Sequence, residues 1–155
     1  SYATQWLTDN MPATDELVMV HCDYRTGNYL FDEATGEITA VLDWEMAING
    51  EPLSDLGYLL IFFDGPFHRA ATQLKEPGMF TRAEAIDLWE RVTGRSSKGV
   101  IWHEMAQIAK ILCTMAEGTN LWVTGRNTDP KLGYFQKNLD YYLGVLVSML
   151  DAEGM

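Results

Sequence analysis

The chain has 155 residues, 47% of them hydrophobic, a size at which one domain with a real core is the default. Its net charge of −11 argues against nucleic acid as a partner, because neutralising phosphates needs clustered Lys and Arg. No run of about eighteen apolar residues occurs, so no membrane span is expected. The two cysteines, Cys22 and Cys113, form no CxxC pair, and free thiols in a reducing cytoplasm are the simplest reading.

In chain order, residues 1–10 read as the last turns of a helix that starts upstream, so the sequence resembles a piece of a longer protein. Met11 to Glu16 is a linker. Leu17 to Val20, Tyr29 to Asp32 and Ile38 to Leu42 are short apolar runs expected to be strands. Between the last two, Glu33 to Glu37 contains Gly36, as a hairpin loop does. Pro52 suits the first turn of a helix continuing through Ser54 to Phe63. Residues 64–80 hold two glycines and two prolines and read as loop. Thr81 with Glu84 forms a capping box for a helix ending at Gly94. A long helix spans about Gly99 to Val123, with Ile101, Met105, Ile108, Leu112 and Met115 at helical spacing. Gly125 to Pro130 breaks it, and a last helix runs from about Lys131 to Leu150. The fold class is α+β and mainly helical.

The chemistry is concentrated in Val20 to Glu45. If the two hairpin strands pair antiparallel, Asn28 and Asp43 stand at neighbouring ends. An amide oxygen beside a carboxylate makes a hard oxygen site of the kind Mg²⁺ prefers, with water and phosphate filling its other positions. Asp23 precedes Asn28 on the same loop and can accept a hydroxyl proton during phosphoryl transfer. Arg25 is placed to meet a phosphate oxygen. His21 is expected to hold loop backbone through its ring nitrogens.

The spacing His21-x-Asp23-x-x-x-x-Asn28, followed by Asp43-Trp44-Glu45, resembles the catalytic loop and metal aspartate of the protein-kinase-like superfamily. Protein kinases write these as H-R-D-x-x-x-x-N and D-F-G. The text HCDYRTGNYLF…AVLDWEMAINGEPLSDLGYL is closer to the aminoglycoside phosphotransferase and choline kinase family. Within it, the chain resembles the branch related to kinase domains fused to acyl-CoA dehydrogenases. The resemblance is strong over residues 17–63 and loose beyond.

It implies a C-terminal lobe with a small β-hairpin carrying the catalytic loop. The implied function is transfer of the γ-phosphate of ATP, with Mg²⁺, to a hydroxyl of a small molecule. Asp23 matches the catalytic base, Asn28 and Asp43 the Mg²⁺ ligands, and Asp55 an aspartate that ties down the loop backbone. Arg25 falls where protein kinases have a phosphate-touching lysine, and Glu45 where some relatives hold a second metal through water. Cys22 replaces the usual glycine, which matters if that position needs positive φ. Glu51 replaces the usual aspartate before Pro52.

No nucleotide-covering glycine loop or phosphate-binding lysine motif occurs in residues 1–155. The N-terminal lobe is therefore expected as a missing partner from the same protein, and the isolated chain is expected to be inactive. The alternatives are a degenerate kinase-like binding or regulatory module, and a metal-dependent hydrolase that would turn over without ATP.

Other signals are weaker. His103-Glu104 begins like a zinc-protease helix, but Gln107 stands where the second histidine belongs, so a packed histidine is expected. His68 is expected on an exposed loop. Trp89, Trp102 and Trp122 read as core. Glu104, Glu117 and Asn120 lie on the helix expected to wall the substrate cleft and are candidates to face it.

Overall fold

The computed structural model describes residues 2–14, 16–65, 78 and 80–154. Most of the loop expected over 64–80, including His68, lies outside the described residues.

The elements run α1 (Tyr2–Asp9), β1 (Val18–Val20), β2 (Tyr29–Phe31), β3 (Ile38–Val41), β4 (Ile48–Gly50), α2 (Leu53–Leu60), α3 (Arg82–Thr93), α4 (Val100–Val123) and α5 (Pro130–Ala152). Short 3-10 turns over Thr26–Asn28 and Trp44–Met46 lead into β2 and β4. The strands form two antiparallel pairs rather than one sheet. β2 pairs with β3, Tyr29 opposite Val41, with an irregularity between Leu30 and Phe31. β1 pairs with β4, Val20 opposite Ile48.

Local chemistry explains the boundaries. In the hairpin loop, Asp32 Oδ1 accepts the N–H groups of Ala34 and Thr35, both at 2.9 Å, and Gly36 takes the φ of 74° that reverses the chain. At the start of α3 the capping box forms: Glu84 Oε2 accepts the Thr81 N–H at 2.7 Å, and Thr81 Oγ1 accepts the Glu84 N–H at 3.3 Å. Gly94, at φ 70°, ends that helix. Asp129 caps α5 by accepting the Lys131 N–H at 2.9 Å, with Pro130 in the first turn.

Helix α4 is the spine, packed against α2 on one side and α5 on the other. Met105 and Ile108 of α4 are fully buried among Tyr58 and Ile61 on the α2 side and Val145, Leu146, Met149 and Leu150 of α5. A second cluster joins Leu56 and Leu60 of α2 to Val100, with Ile86 and Trp89 of α3 against it. Each such side chain withdrawn from water contributes about 1.5–3 kcal/mol. The α2–α4 approach requires Gly57: a Cβ there would stand 2.9 Å from the backbone N of Glu104.

Three polar residues of α4, His103, Glu104 and Gln107, are packed inward. His103 is buried, with Nε2 2.9 Å from Glu51 Oε2 and Nδ1 3.4 Å from Ser54 Oγ. Burial outweighs the Glu51 carboxylate and pushes the His103 pKa down. Glu104, a candidate to face substrate, is 1% exposed and is held by the two terminal guanidinium nitrogens of Arg82, Nη1 to Oε1 at 2.8 Å and Nη2 to Oε2. That expectation is corrected: a buried carboxylate requires a charged partner, and Arg82 of α3 supplies it. Trp102 fastens α1 by donating its indole N–H to the Leu7 carbonyl at 3.2 Å. No described helix is long and apolar enough to cross a membrane.

Candidate active site

The site is built on the loop between β1 and β2. Asp55, in the first turn of α2, accepts two consecutive backbone N–H groups, His21 on Oδ2 and Cys22 on Oδ1, each at 2.8 Å. Cys22 has φ 64°, in the left-handed region, where a side chain costs about 1–2 kcal/mol and glycine does not. Its peptide is held from the other side as well: Lys110 Nζ of α4 donates to the Cys22 carbonyl. Burial raises the Cys22 thiol pKa, and both cysteines are free thiols.

His21 is 2% exposed. Its Nδ1 accepts the Asp23 N–H at 3.2 Å, which assigns the ring proton to Nε2. That N–H donates to the Leu42 carbonyl at 2.7 Å, and the Trp44 ring lies 4.7 Å from the imidazole. The Leu42 N–H in turn donates to the Asn28 carbonyl at 2.8 Å. These two bonds carry the end of β3, and Asp43 after it, to the loop bearing Asp23 and Asn28.

The Asp23 carboxylate accepts the Tyr58 hydroxyl on Oδ1 at 2.5 Å and the Asn28 amide N–H on Oδ2 at 2.8 Å. Arg25 Nε lies 3.2 Å from Oδ2. Burial alone would raise the Asp23 pKa. The bonds from Tyr58 and Asn28 and the Arg25 charge outweigh it and hold the carboxyl below its ordinary range. The reverse holds for Tyr58, whose pKa is raised by burial and by the anion it donates to.

Asn28 is 4% exposed and spends its amide nitrogen on Asp23, donating also to the Asp23 carbonyl at 2.9 Å. Its side-chain oxygen is left as an acceptor. Asp43 sits at φ 65° before the 3-10 turn, is exposed, and does not cap that turn with its carboxylate. Two oxygen donors on neighbouring strand ends suit a hard divalent cation that keeps its other ligands from water and phosphate. Among the described residues no three His, Cys, Asp or Glu side chains cluster as a self-sufficient metal centre. Glu45 lies in the exposed 3-10 turn after Asp43.

Beside Asp23 opens a cleft of about 660 Å³, walled by α2, α4 and α5. Tyr58, Lys110 and Lys131 line it and were not singled out in the sequence. Tyr58 follows Asp55 at i+3, on the same helical face, which is the signal that would have found it. Lys110 is a lone cation within an apolar helical stretch, and its ammonium lies 4.9 Å from the centre of the Tyr58 ring. Glu117 and Asn120 are exposed on α4 and do not line the cleft.

The profile of the phosphotransferase enzyme family matches residues 2–95. Acyl-CoA dehydrogenase family member 11 of Pongo abelii is 30% identical over 106 residues, 64% of this chain and 14% of that protein. Its Rattus norvegicus counterpart is 42% identical over 62 residues, 39% of this chain and 8% of that protein. The chain thus spans a small part of these relatives' length. In three dimensions it is similar to a protein from Ralstonia eutropha described as an aminoglycoside phosphotransferase. The TM-score is 0.81 at 23% identity, covering 97% of this chain and 48% of that one. The fold is that of a kinase-like phosphotransferase, and the chain belongs to the phosphotransferase enzyme family.

Proposed function

We propose that this chain is the C-terminal, catalytic-loop lobe of an ATP- and Mg²⁺-dependent phosphotransferase acting on a hydroxyl of a small molecule. The observation that supports the reading is the hydrogen-bonded set in which the Asn28 amide donates to Asp23 while the N–H of Leu42, the residue before Asp43, donates to the Asn28 carbonyl. Asp23 orients the acceptor hydroxyl and takes its proton as the oxygen bonds to the γ-phosphorus and the bond to ADP breaks. A carboxylate held below its ordinary pKa is a weak base. That suits a loose transition state, in which the proton leaves late and positioning does most of the work. The Asn28 side-chain oxygen and the Asp43 carboxylate would hold Mg²⁺, which when bound supplies charge neutralisation across the phosphates. Arg25 keeps Asp23 ionised and stands where a transferred phosphate would pass. Asp55, His21 and Lys110 fix the loop backbone, and Glu45 is assigned to a second metal through water.

The nucleotide-covering lobe is assigned to the rest of a longer protein, in keeping with the 48% coverage of the matching structure. The test is Mg²⁺-dependent ADP release by the full-length protein over a panel of hydroxylated metabolites, with Asp23→Asn as control. This chain alone should release none, and robust turnover by it would refute that assignment. A second reading, a kinase-like binding module without catalysis, is favoured by one feature: a non-glycine residue, Cys22, at positive φ in the catalytic loop. It predicts nucleotide-independent ligand binding and no Asp23-dependent ADP release.

A further inference from the structure

Helix α4 carries a polar stripe on the side it turns to α2. His103, Gln107 and Lys110 stand at i, i+4 and i+7, on one side of the helix. His103 and Gln107 are buried, and Lys110 is half-buried. The polar atoms they reach belong to the first turn of α2 or to the catalytic loop. His103 has Glu51 Oε2 2.9 Å from Nε2 and Ser54 Oγ 3.4 Å from Nδ1. Gln107 Nε2 donates to the Ser54 carbonyl at 3.2 Å. Lys110 Nζ donates to the Cys22 carbonyl. Glu51 and Ser54 close one turn, the Ser54 N–H donating to the Glu51 carbonyl at 2.9 Å. The next residue is Asp55, whose carboxylate holds the His21 and Cys22 N–H groups just ahead of Asp23.

Stability gives no reason for this stripe. Burial keeps the His103 ring neutral at ordinary pH. A neutral ring has one N–H and one acceptor nitrogen. The carboxylate beside Nε2 can only accept, which assigns the proton there and leaves Nδ1 to take the Ser54 hydroxyl. Gln107 Oε1 is buried with no hydrogen-bond partner among the described residues, which weakens the fold. Apolar side chains of similar size would fill such a seam at little loss. What polar groups add is direction, because burial of apolar surface is non-directional and a hydrogen bond is not.

We propose that His103 is a positioning residue for the catalytic loop: through Glu51 and Ser54 it fixes the first turn of α2, and so the Asp55 carboxylate that aims Asp23. Gln107 secures the same turn. The phosphotransferase reading supplies what the loop does; the inference adds a determinant of its geometry that lies outside the cleft, which neither His103 nor Gln107 lines.

The test uses the full-length protein with His103→Leu, which is apolar and similar in size, and His103→Gln, which keeps a donor for Glu51. Val145→Ala, in the α5 part of the core, serves as a control for general destabilisation. Amide hydrogen exchange is measured without nucleotide. In His103→Leu the peptide His21–Asn28 should exchange about tenfold faster, while the hairpin tip over 33–37 is unchanged. His103→Gln should stay near wild type, and Val145→Ala should lower the melting temperature without this selective loosening. With the best alcohol of the metabolite panel, His103→Leu should lower kcat about tenfold and leave the KM for ATP within about twofold. Unchanged loop exchange, equal loosening by Val145→Ala, or a looser loop with unchanged kcat would overturn the proposal. If His103→Leu does not fold, Gln107→Met decides by the same measurements: a faster-exchanging loop supports the proposal and an unchanged one overturns it. Absence of Asp23-dependent ADP release from the wild type would sink the phosphotransferase reading alone, because hydrogen exchange still decides whether His103 holds the loop.

Discussion

The two sides of this molecule are held by different forces. Around α2, α4 and α5, Leu60, Met105 and Ile108 are wholly excluded from water, in two apolar clusters that the helices share. On the strand side Met19, Phe31, Ile38 and Ile48 are each more than half exposed. Order there comes from hydrogen bonds: Asp55 to two N–H groups, His21 to Leu42, and Leu42 to Asn28. Among the described residues, the two non-glycine residues at positive φ, Cys22 and Asp43, fall on this side. Burial supplies the stability. The loop, tethered to that core by Asp55 and Lys110, spends part of it on a strained backbone that aims polar groups at one place.

Substitutions on the two sides should therefore separate activity from stability. The largest effect is expected from Asp23→Asn in the full-length protein. It should lower kcat by about 10²–10⁴-fold, with the melting temperature nearly unchanged. A mutant that melts early would mean that Asp23 is mainly a structural anchor. In the core, Glu104→Ala leaves Arg82 as an uncompensated buried charge and should cost about 3–5 kcal/mol by denaturant unfolding. Gly57→Ala should cost about 1–3 kcal/mol by forcing α2 away from α4.

Smaller effects sharpen the loop side. Cys22→Gly should be more stable than Cys22→Ala by about 1 kcal/mol, because only glycine is at ease at this φ. Equal stability would remove the claim of strain. Tyr58→Phe deletes a donor that helps hold the Asp23 carboxyl below its ordinary pKa. The folded value then rises, Asp23 takes up its proton at higher pH, and the acid limb of the kcat/KM profile should move upward. An unmoved limb would show that Asp23 does not set it.

The contiguous motif was legible because its parts lie within one hairpin's reach: His21, Asp23, Asn28 and Asp43 are joined by local pairing. The helices were legible from capping residues such as Thr81 with Glu84 and from apolar spacing along α4. β4 was not read, because Ile48–Gly50 has only three residues and becomes a strand through its pairing with β1. Tyr58 and Lys110 were missed as well. For Tyr58 the i+3 spacing from Asp55 was the local clue, whereas the role of Lys110 depends on how α2 and α4 cross, a long-range packing fact that no local spacing announces. Glu104 was read as facing the substrate cleft because it is a polar residue on the helix expected to wall it; its partner Arg82, twenty-two residues away, instead holds it buried.

The most direct test of the account is the position of the divalent ion. The full-length protein should be crystallised with Mn²⁺ and a non-hydrolysable ATP analogue, and the metal located by anomalous scattering. The account predicts a peak about 2.1–2.2 Å from both the Asn28 side-chain oxygen and an Asp43 carboxylate oxygen, bridging to phosphate, with the Asp23 carboxylate facing the γ-phosphate. A nucleotide-bound peak away from both residues would contradict it.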